Sequence, residues 1–154
     1  MSYHVESREL TEQPTAAVRA SLSPRELGSW LGDAYRDVIT YLGSARVAPT
    51  GPPYARLTFY NDLVHIEAGF PVSAPVVAGG RVAASSLPGG PVALTTHYGR
   101  YEDVAAAYDA IAEWLKEHGY EPAGPHWEIY YTDPRTEPDP ARWRTDVVAP
   151  YRTG

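Results

Sequence analysis

Glu128 is the residue of this chain whose neighbours best suggest chemistry. It lies in the strand-like run Trp127-Glu128-Ile129-Tyr130-Tyr131. Because side chains alternate along a strand, Glu128 and Tyr130 share one face and the other three residues share the opposite face. We expect this apolar trio to pack under a helix, which leaves Glu128 on the other side of the sheet. A carboxylate shielded by aromatic rings is costly unless a hydrogen-bond donor or a positive charge completes it, and a ligand cation could supply that charge.

Several large side chains are candidates to surround this carboxylate. The predicted ligand-binding set comprises Glu128, Tyr130, Trp143, Leu57, Phe59, Phe70 and Tyr108. The simpler interpretation is that Glu128 lies on a solvated sheet face and that the aromatic residues fill the core. If the site exists, the carboxylate has two uses: it can be the counter-charge of a bound cation, or it can be the general base of a hydrolase. The residues alone do not decide between these uses.

Other kinds of chemistry find little support. The chain has no cysteine, and its five histidines are scattered without a pair at the spacing of a helical metal site, so we predict neither a disulfide nor a metal. The sequence contains no nucleophile elbow, phosphate loop or dinucleotide fingerprint, and the pairs Gly79-Gly80 and Gly89-Gly90 are better explained as turns. We therefore predict no cofactor.

The charge balance bears on partners and location. A net charge of -6 at pH 7 repels a phosphate backbone, so we expect no direct binding to nucleic acid. The sequence has no run of about 18 apolar residues and no signal-peptide pattern, which predicts no membrane contact and a cytoplasmic location. The length of 154 residues fits a single domain over residues 1–154.

Two amphipathic helices are predicted. The first begins at the capping-box pattern Ser23-Pro24-Arg25-Glu26, continues with apolar residues at helical spacing through Leu42 and ends at Gly43. The second covers Val104–His118 and ends at Gly119. Since each helix has one apolar face, each should cover a sheet.

Strand-like runs rich in β-branched and aromatic residues account for much of the remaining chain. They are Thr15–Ala20, Ala55–Tyr60, Leu63–Phe70, Arg81–Ser86, Val92–Tyr98, Trp127–Thr132 and Arg142–Val148. Asn61-Asp62 predicts a tight hairpin, and the proline-rich Asp133–Pro140 predicts a longer hairpin loop.

The chain also carries an internal repeat. Residues 73 positions apart match in type eight times: Tyr35/Tyr108, Val38/Ile111, Tyr41/Trp114, Leu42/Leu115, Pro49/Pro122, Gly51/Gly124, Pro52/Pro125 and Tyr54/Trp127. After the longer hairpin loop the separation becomes 79, which places Glu67 on Asp146 and Pro71 on Pro150. The repeat predicts an α+β fold of two β-α-β-β units, about residues 16–72 and 92–151, with pseudo-twofold symmetry, an antiparallel sheet and two helices. We expect small molecules to bind where the copies meet.

Five motifs follow one another along the chain. They are Gly51-Pro52-Pro53-Tyr54, Glu67-Ala68-Gly69-Phe70-Pro71-Val72, His97-Tyr98-Gly99-Arg100-Tyr101, Gly124-Pro125-His126-Trp127-Glu128-Ile129-Tyr130 and Trp143-Arg144-Thr145-Asp146-Val147-Val148. Together they resemble the GyrI-like family, the effector-binding domain also found at the C-terminus of AraC-type and MerR-type transcription regulators. The resemblance covers almost the whole chain.

The resemblance implies a duplicated β-α-β-β fold with an aromatic-lined pocket for bulky, often cationic drugs and dyes, in which Glu128 matches the pocket glutamate. It favours binding or sequestration of xenobiotics. Because some members open strained electrophilic rings with a water held by that glutamate, a hydrolase is the alternative. Arg100 departs from the usual proline, and no helix-turn-helix precedes the domain here, so we expect a stand-alone member that is not itself the regulator. A protein partner such as gyrase follows from the family name alone and stays unspecified.

Overall fold

A computed structural model describes residues 3–132 and 136–153 of the chain. In chain order the strands are β1 Glu6–Leu10, β2 Gln13–Leu22, β3 Tyr54–Tyr60, β4 Leu63–Pro71, β5 Ala83–Leu87, β6 Gly90–Tyr98, β7 Tyr120–Pro122, β8 Trp127–Tyr130 and β9 Arg144–Thr153. The helices are α1 Leu27–Ala45 and α2 Ala105–His118. Every named strand pairing is antiparallel, and the fold is α+β as the sequence predicts.

The chain divides into two compact units. The first unit is Thr11–Gly89, and the second unit combines Met1–Leu10 with Gly90–Gly154. In the first unit the strand order is β3-β4-β2-β5, and α1 follows β2. In the second unit the order is β8-β9-β6-β1, with β7 paired to β9, and α2 follows β6. Each unit by itself therefore has the predicted β-α-β-β order.

One strand of each unit comes from an unexpected part of the chain. β1 directly precedes β2 but pairs with β6, and β5 directly precedes β6 but pairs with β2. The sequence did not predict β1, because Glu6–Leu10 consists mostly of charged residues. It also missed β7, which is only three residues long and ends in a proline. β1 has no β-branched or aromatic residue and β7 has only Tyr120, so both short strands give a weaker signal than the longer ones.

The predicted helix starts and stops were correct in part. The backbone N–H and the hydroxyl of Ser23 both donate to Glu26 Oε1, at 3.2 and 2.7 Å, in a short 3-10 turn before α1. Gly119 ends α2 with φ 70°, as predicted. Gly43 does not end α1, because the helix continues to Ala45 and Arg46 adopts the left-handed conformation with φ 59°. The Arg46 and Val47 amides close a Schellman motif on Gly43 and Leu42.

Each helix covers the strands of its own unit, as its amphipathic pattern predicts. In the first unit the buried cluster is Ala16, Val18, Ala34, Val38, Leu42, Ala68, Val72 and Val82. In the second unit it is Ala93, Ala107, Ile111, Leu115, Val147, Ala149 and Tyr151. These two clusters show which face of each sheet lies under the helix. Neither helix is long and apolar enough to cross a membrane.

The strand boundaries shift, but every predicted strand exists. The largest change is in β9, which runs from Arg144 to Thr153 rather than over Arg142–Val148. β8 ends at Tyr130, two residues earlier than expected. Asn61 forms the predicted hairpin turn with φ 55°. The first part of the predicted loop Asp133–Pro140, residues 133–135, lies outside the described residues.

Candidate functional site

The register of β8 and β9 decides which way Glu128 faces. Glu128 pairs with Val147, and Val147 belongs to the buried cluster under α2. Directly opposed residues of an antiparallel pair project to the same face, so Glu128 lies on the α2 side of its sheet. The expectation that Glu128 would face away from the helix was therefore wrong.

The apolar residues Trp127, Ile129 and Tyr131, which were expected to pack under the helix, do not form a set beneath α2. Trp127, at 2% exposure, pairs with Val148 and so projects to the face away from α2. Tyr131 lies beyond the end of β8 and is 44% exposed, with the Arg144 guanidinium 4.1 Å from its ring centroid. Both faces of β8 contain aromatic residues. Side-chain hydrophobicity alone therefore did not identify the face that α2 covers.

Glu128 is held by two phenols. Its side chain is buried, at 6% exposure. Tyr108 of α2 donates its hydroxyl to Oε2, and Tyr130 of β8 donates to Oε1 at 2.9 Å. Within the part of the chain that the structure describes, no basic side chain forms an ion pair with this carboxylate. Among the described residues, the partners of this carboxylate are therefore the two hydroxyl groups.

The other two buried acids differ from Glu128 in this respect. Glu67 accepts a hydrogen bond from Arg19 Nε at 2.8 Å and further ones from Tyr54 and Ser85. Asp146 forms an ion pair with Arg144 Nε at 3.3 Å. An arginine thus stands beside each of these carboxylates, whereas a buried charge without such a partner is unusual and destabilising. Glu128 is the exception among the buried acids that the structure describes.

Two ionisable neighbours of Glu128 have shifted pKa values. Burial raises the pKa of Tyr108 well above its ordinary value, and the adjacent Glu128 charge raises it further. Its phenol therefore stays a donor at all physiological pH values. Burial lowers the pKa of His126, whose ring centroid lies 5.2 Å from that of Tyr108 at an interplanar angle of 61°. His126 is consequently neutral around pH 7.

Tyr130 forms a group of three aromatic rings with Tyr101 and Trp143. The Tyr101 ring stacks on Trp143 with centroids 5.2 Å apart, and its edge meets Tyr130 at 5.7 Å. The Trp143 indole N–H donates to the Glu137 carbonyl at 2.7 Å, which fixes the orientation of the indole ring. Sequence reasoning selected Trp143 and Tyr130 but missed Tyr101. Its position at the start of the turn before α2, within the motif His97–Tyr101, was the available signal.

The predicted site residues fall into two groups. Glu128, Tyr130, Tyr108 and Trp143 belong to the second unit, where contacts link the first three directly and Tyr101 links Trp143 to Tyr130.

Leu57, Phe59 and Phe70 belong to the first unit. There Leu57 pairs with Ile66, Phe59 is 71% exposed, and the Phe70 ring meets the edge of Tyr35 at 5.7 Å. The role of these three residues in a ligand site stays a prediction.

The described residues contain no group of three side chains able to hold a metal ion. The chemistry available at Glu128 is therefore that of a carboxylate, phenols, an imidazole and aromatic faces. Such a set can attract a cation, stack on flat rings or move a proton.

Two units, each with one helix over antiparallel strands, define an α+β fold. The chain matches the family model described as the GyrI-like small molecule binding domain over residues 4–152, and it belongs to that family. No curated protein matches the chain.

Solved structures share the fold. The C-terminal domain of EcmrR superposes with a TM-score of 0.84 at 16% identity, over 100% of both chains. In the EcmrR–DNA complex the match covers 99% of this chain and only 58% of EcmrR, with TM-score 0.83 and 18% identity. A hydrolase from Listeria innocua has TM-score 0.65 and 14% identity over 96% of this chain and 91% of its own. SAV2435 bound to tetraphenylphosphonium has TM-score 0.64 and 9% identity over 99% and 94%.

Proposed function

We propose that this chain binds hydrophobic organic cations, with Glu128 as their counter-charge. The observation that carries the proposal is the environment of Glu128, a buried carboxylate that two phenols hold and that no arginine or lysine neutralises in the described residues. A bound cation would neutralise this charge. In the same way, Arg19 neutralises the carboxylate of Glu67, and Arg144 neutralises that of Asp146.

Aromatic rings near Glu128 suit the apolar part of such a ligand. Tyr108, Tyr130, Tyr101 and Trp143 offer flat surfaces whose negative faces attract cations. A desolvated cation over an aromatic face gains about 2 kcal/mol, and this adds to its attraction to the carboxylate. Delocalised cations with phenyl groups can both stack on these rings and pair with the carboxylate. Their desolvation costs little, because their charge is spread over many atoms.

The comparisons support this class of ligand. The family model describes a small-molecule-binding domain, and one structural neighbour is bound to tetraphenylphosphonium, a permanent organic cation. Sequestration of such compounds would serve resistance to xenobiotics, as the sequence resemblance suggests. The proposed role needs neither metal nor cofactor.

Titration calorimetry with tetraphenylphosphonium tests the proposal. Glu128→Gln keeps the volume of the side chain and removes its charge, so the affinity should fall by roughly thirtyfold to a thousandfold, equivalent to about 2–4 kcal/mol. Neutral triphenylphosphine oxide should lose little affinity. Glu113→Gln, on the exposed side of α2, is the matched control and should change the affinity for neither ligand. Equal affinity of the wild type and Glu128→Gln for tetraphenylphosphonium would overturn the proposal.

A hydrolase is the second candidate, and the neighbour from Listeria innocua that is named a hydrolase favours it. In this case Glu128 would take a proton from a water that attacks a strained electrophilic ring. Each of its oxygens accepts one hydroxyl and keeps a second lone pair, which could accept the hydrogen of this water.

Mass spectrometry after incubation of the protein with an aromatic compound that carries a strained electrophilic ring separates the two candidates. A binding protein leaves the ligand intact. A hydrolase adds water to it, and Glu128→Gln then abolishes turnover while substrate binding persists.

A further inference from the structure

His126 is a titratable group next to Glu128 that no role assigned so far uses. Its ring packs against the ring of Tyr108, and the hydroxyl of the same tyrosine donates to Glu128. One phenol thus contacts both side chains. His126 directly precedes β8, which begins at Trp127, and it lies two residues before Glu128. Because both side chains contact Tyr108, we take them to be roughly 7 Å apart, which is the spacing of residues two apart in extended chain.

The imidazole of His126 is half-buried and forms no hydrogen bond with the residues that the structure describes. The other buried histidine, His97, differs, because Tyr3 donates to its Nδ1 and its Nε2 donates to the Arg100 carbonyl, both at 2.8 Å. Both ring nitrogens of His97 therefore have structural roles. The ring nitrogens of His126 form no hydrogen bond with the described residues, so the imidazole can be protonated without breaking one of these contacts.

Few other groups act on His126. Tyr108 faces it from α2, and Glu128 and Tyr130 are its ionisable neighbours on β8. β9 adds none here, because the register that pairs Trp127 with Val148 places Ala149 next. Residues 123–125 are Ala-Gly-Pro and carry no charge. Burial alone lowers the pKa of His126, with no charged group among the causes.

We propose that protonation of His126 releases organic cations from Glu128. This inference rests on the proposed function, because it assumes that the cation lies at Glu128. A proton on His126 places a second positive charge near the bound cation and partly neutralises the carboxylate that attracts it. For a cation about 7 Å from the imidazole, at an effective dielectric constant of about 20, the repulsion corresponds to roughly a fiftyfold change in affinity, which salt reduces to about tenfold.

The direction of the pH effect follows from the depressed pKa. His126 is neutral above its ordinary pKa of 6.5, so the affinity should be constant between pH 8 and pH 7. It should fall as the pH drops below 6.5, and the depressed pKa places this fall toward more acidic pH. A bound cation disfavours the protonated imidazole, so binding in that acidic range should release protons to the buffer.

The test is calorimetric titration of tetraphenylphosphonium between pH 8 and pH 5.5, in two buffers of different ionisation enthalpy. This ligand carries the same charge at every pH, so only the protein titrates. Wild type should lose about tenfold more affinity across this range than His126→Gln. It should also release more protons on binding than His126→Gln at the acidic end of this range. His118→Gln, a change of an exposed histidine, is the matched control and should behave like wild type.

Two further measurements keep failure of each proposal distinct. His126→Arg carries a permanent charge and should bind tetraphenylphosphonium weakly even at pH 8, whereas triphenylphosphine oxide should bind it as it binds wild type. If Glu128→Gln weakens binding at pH 8 but His126→Gln has the wild-type pH profile, the role of His126 is wrong and the cation site stands. If Glu128→Gln binds like wild type at pH 8, the cation site itself is wrong.

Discussion

Tyr35 and Tyr108 occupy equivalent positions on the two helices, yet their hydroxyls donate to different kinds of acceptor. Tyr35 donates to the backbone carbonyl of Tyr54 at 2.9 Å, and Tyr108 donates to the side chain of Glu128. The difference arises on the strand, because Ala55 stands in the first unit where Glu128 stands in the second. The equivalent hydroxyl therefore contacts the backbone in the first unit and a carboxylate in the second.

Removal of the two hydroxyls should therefore have unequal effects. Tyr35→Phe loses a neutral hydrogen bond and should lower the free energy of unfolding by about 1 kcal/mol, whereas Tyr108→Phe loses a bond to a charged group and should lower it by about 1.5–3 kcal/mol. Urea denaturation measures both values. Only Tyr108→Phe should change the affinity for tetraphenylphosphonium. A change of the same size in both variants would mean that Tyr35 also acts on the ligand site.

Neutralising a buried acid should affect stability differently according to whether an arginine lies beside it. Glu67→Gln removes the charge that Arg19, Tyr54 and Ser85 all contact, and we expect a loss of about 1–3 kcal/mol, limited by the exposure of Arg19. Glu128→Gln removes a buried charge with no arginine beside it, so its free energy of unfolding should stay within about 1 kcal/mol of wild type or rise. Thermal or chemical denaturation at pH 7 compares them. Similar large losses in both variants would show that Glu128 has a structural role.

Gly69 should tolerate no side chain. A Cβ at this position of β4 would lie 2.0 Å from the Ala16 carbonyl oxygen and 2.8 Å from Ala17 Cα, both backbone atoms of the paired strand β2. Gly69→Ala should therefore cost more than about 3 kcal/mol or prevent folding. Gly32→Ala is the control, since a Cβ there meets nothing within 4 Å in the middle of α1, and it should stabilise the protein by about 0.5–1 kcal/mol. Circular dichroism during denaturation detects both effects.

Introducing glycine at the end of α1 and removing it from the end of α2 should change stability in opposite directions. Arg46 ends α1 in the left-handed region at φ 59°, so Arg46→Gly should stabilise the protein by about 0.5–1 kcal/mol. Gly119 ends α2 at φ 70°, so Gly119→Ala should destabilise it by about 1 kcal/mol. Melting temperatures should shift upward in the first variant and downward in the second. A downward shift for Arg46→Gly would mean that its side chain stabilises the loop beyond α1.

Much of the architecture follows from the sequence because its determinants are local or repeated. The period of the apolar residues predicts α1 and α2, and the capping glycine Gly119, which adopts the left-handed conformation, predicts where α2 ends. The repeat predicts that each unit has the β-α-β-β order, since equivalent residues occupy equivalent strands. Gly43 was a weaker signal, because the contacts that end α1 are made by Arg46 and Val47. Which strands β1 and β5 pair with was not predictable, because their partners are not their neighbours in the chain.

The site was predictable as a set of residue types and not as an arrangement. By itself the sequence determined that Glu128 and Tyr130 share a face, because alternation along a strand is local. Only the tertiary structure decided that this face lies under α2, since the side that a helix covers depends on the register that pairs Glu128 with Val147. The same contacts place Tyr108 and His126 beside the carboxylate and leave it without an arginine among the described residues. Long-range packing, not spacing along the chain, sets the charge environment of a buried group.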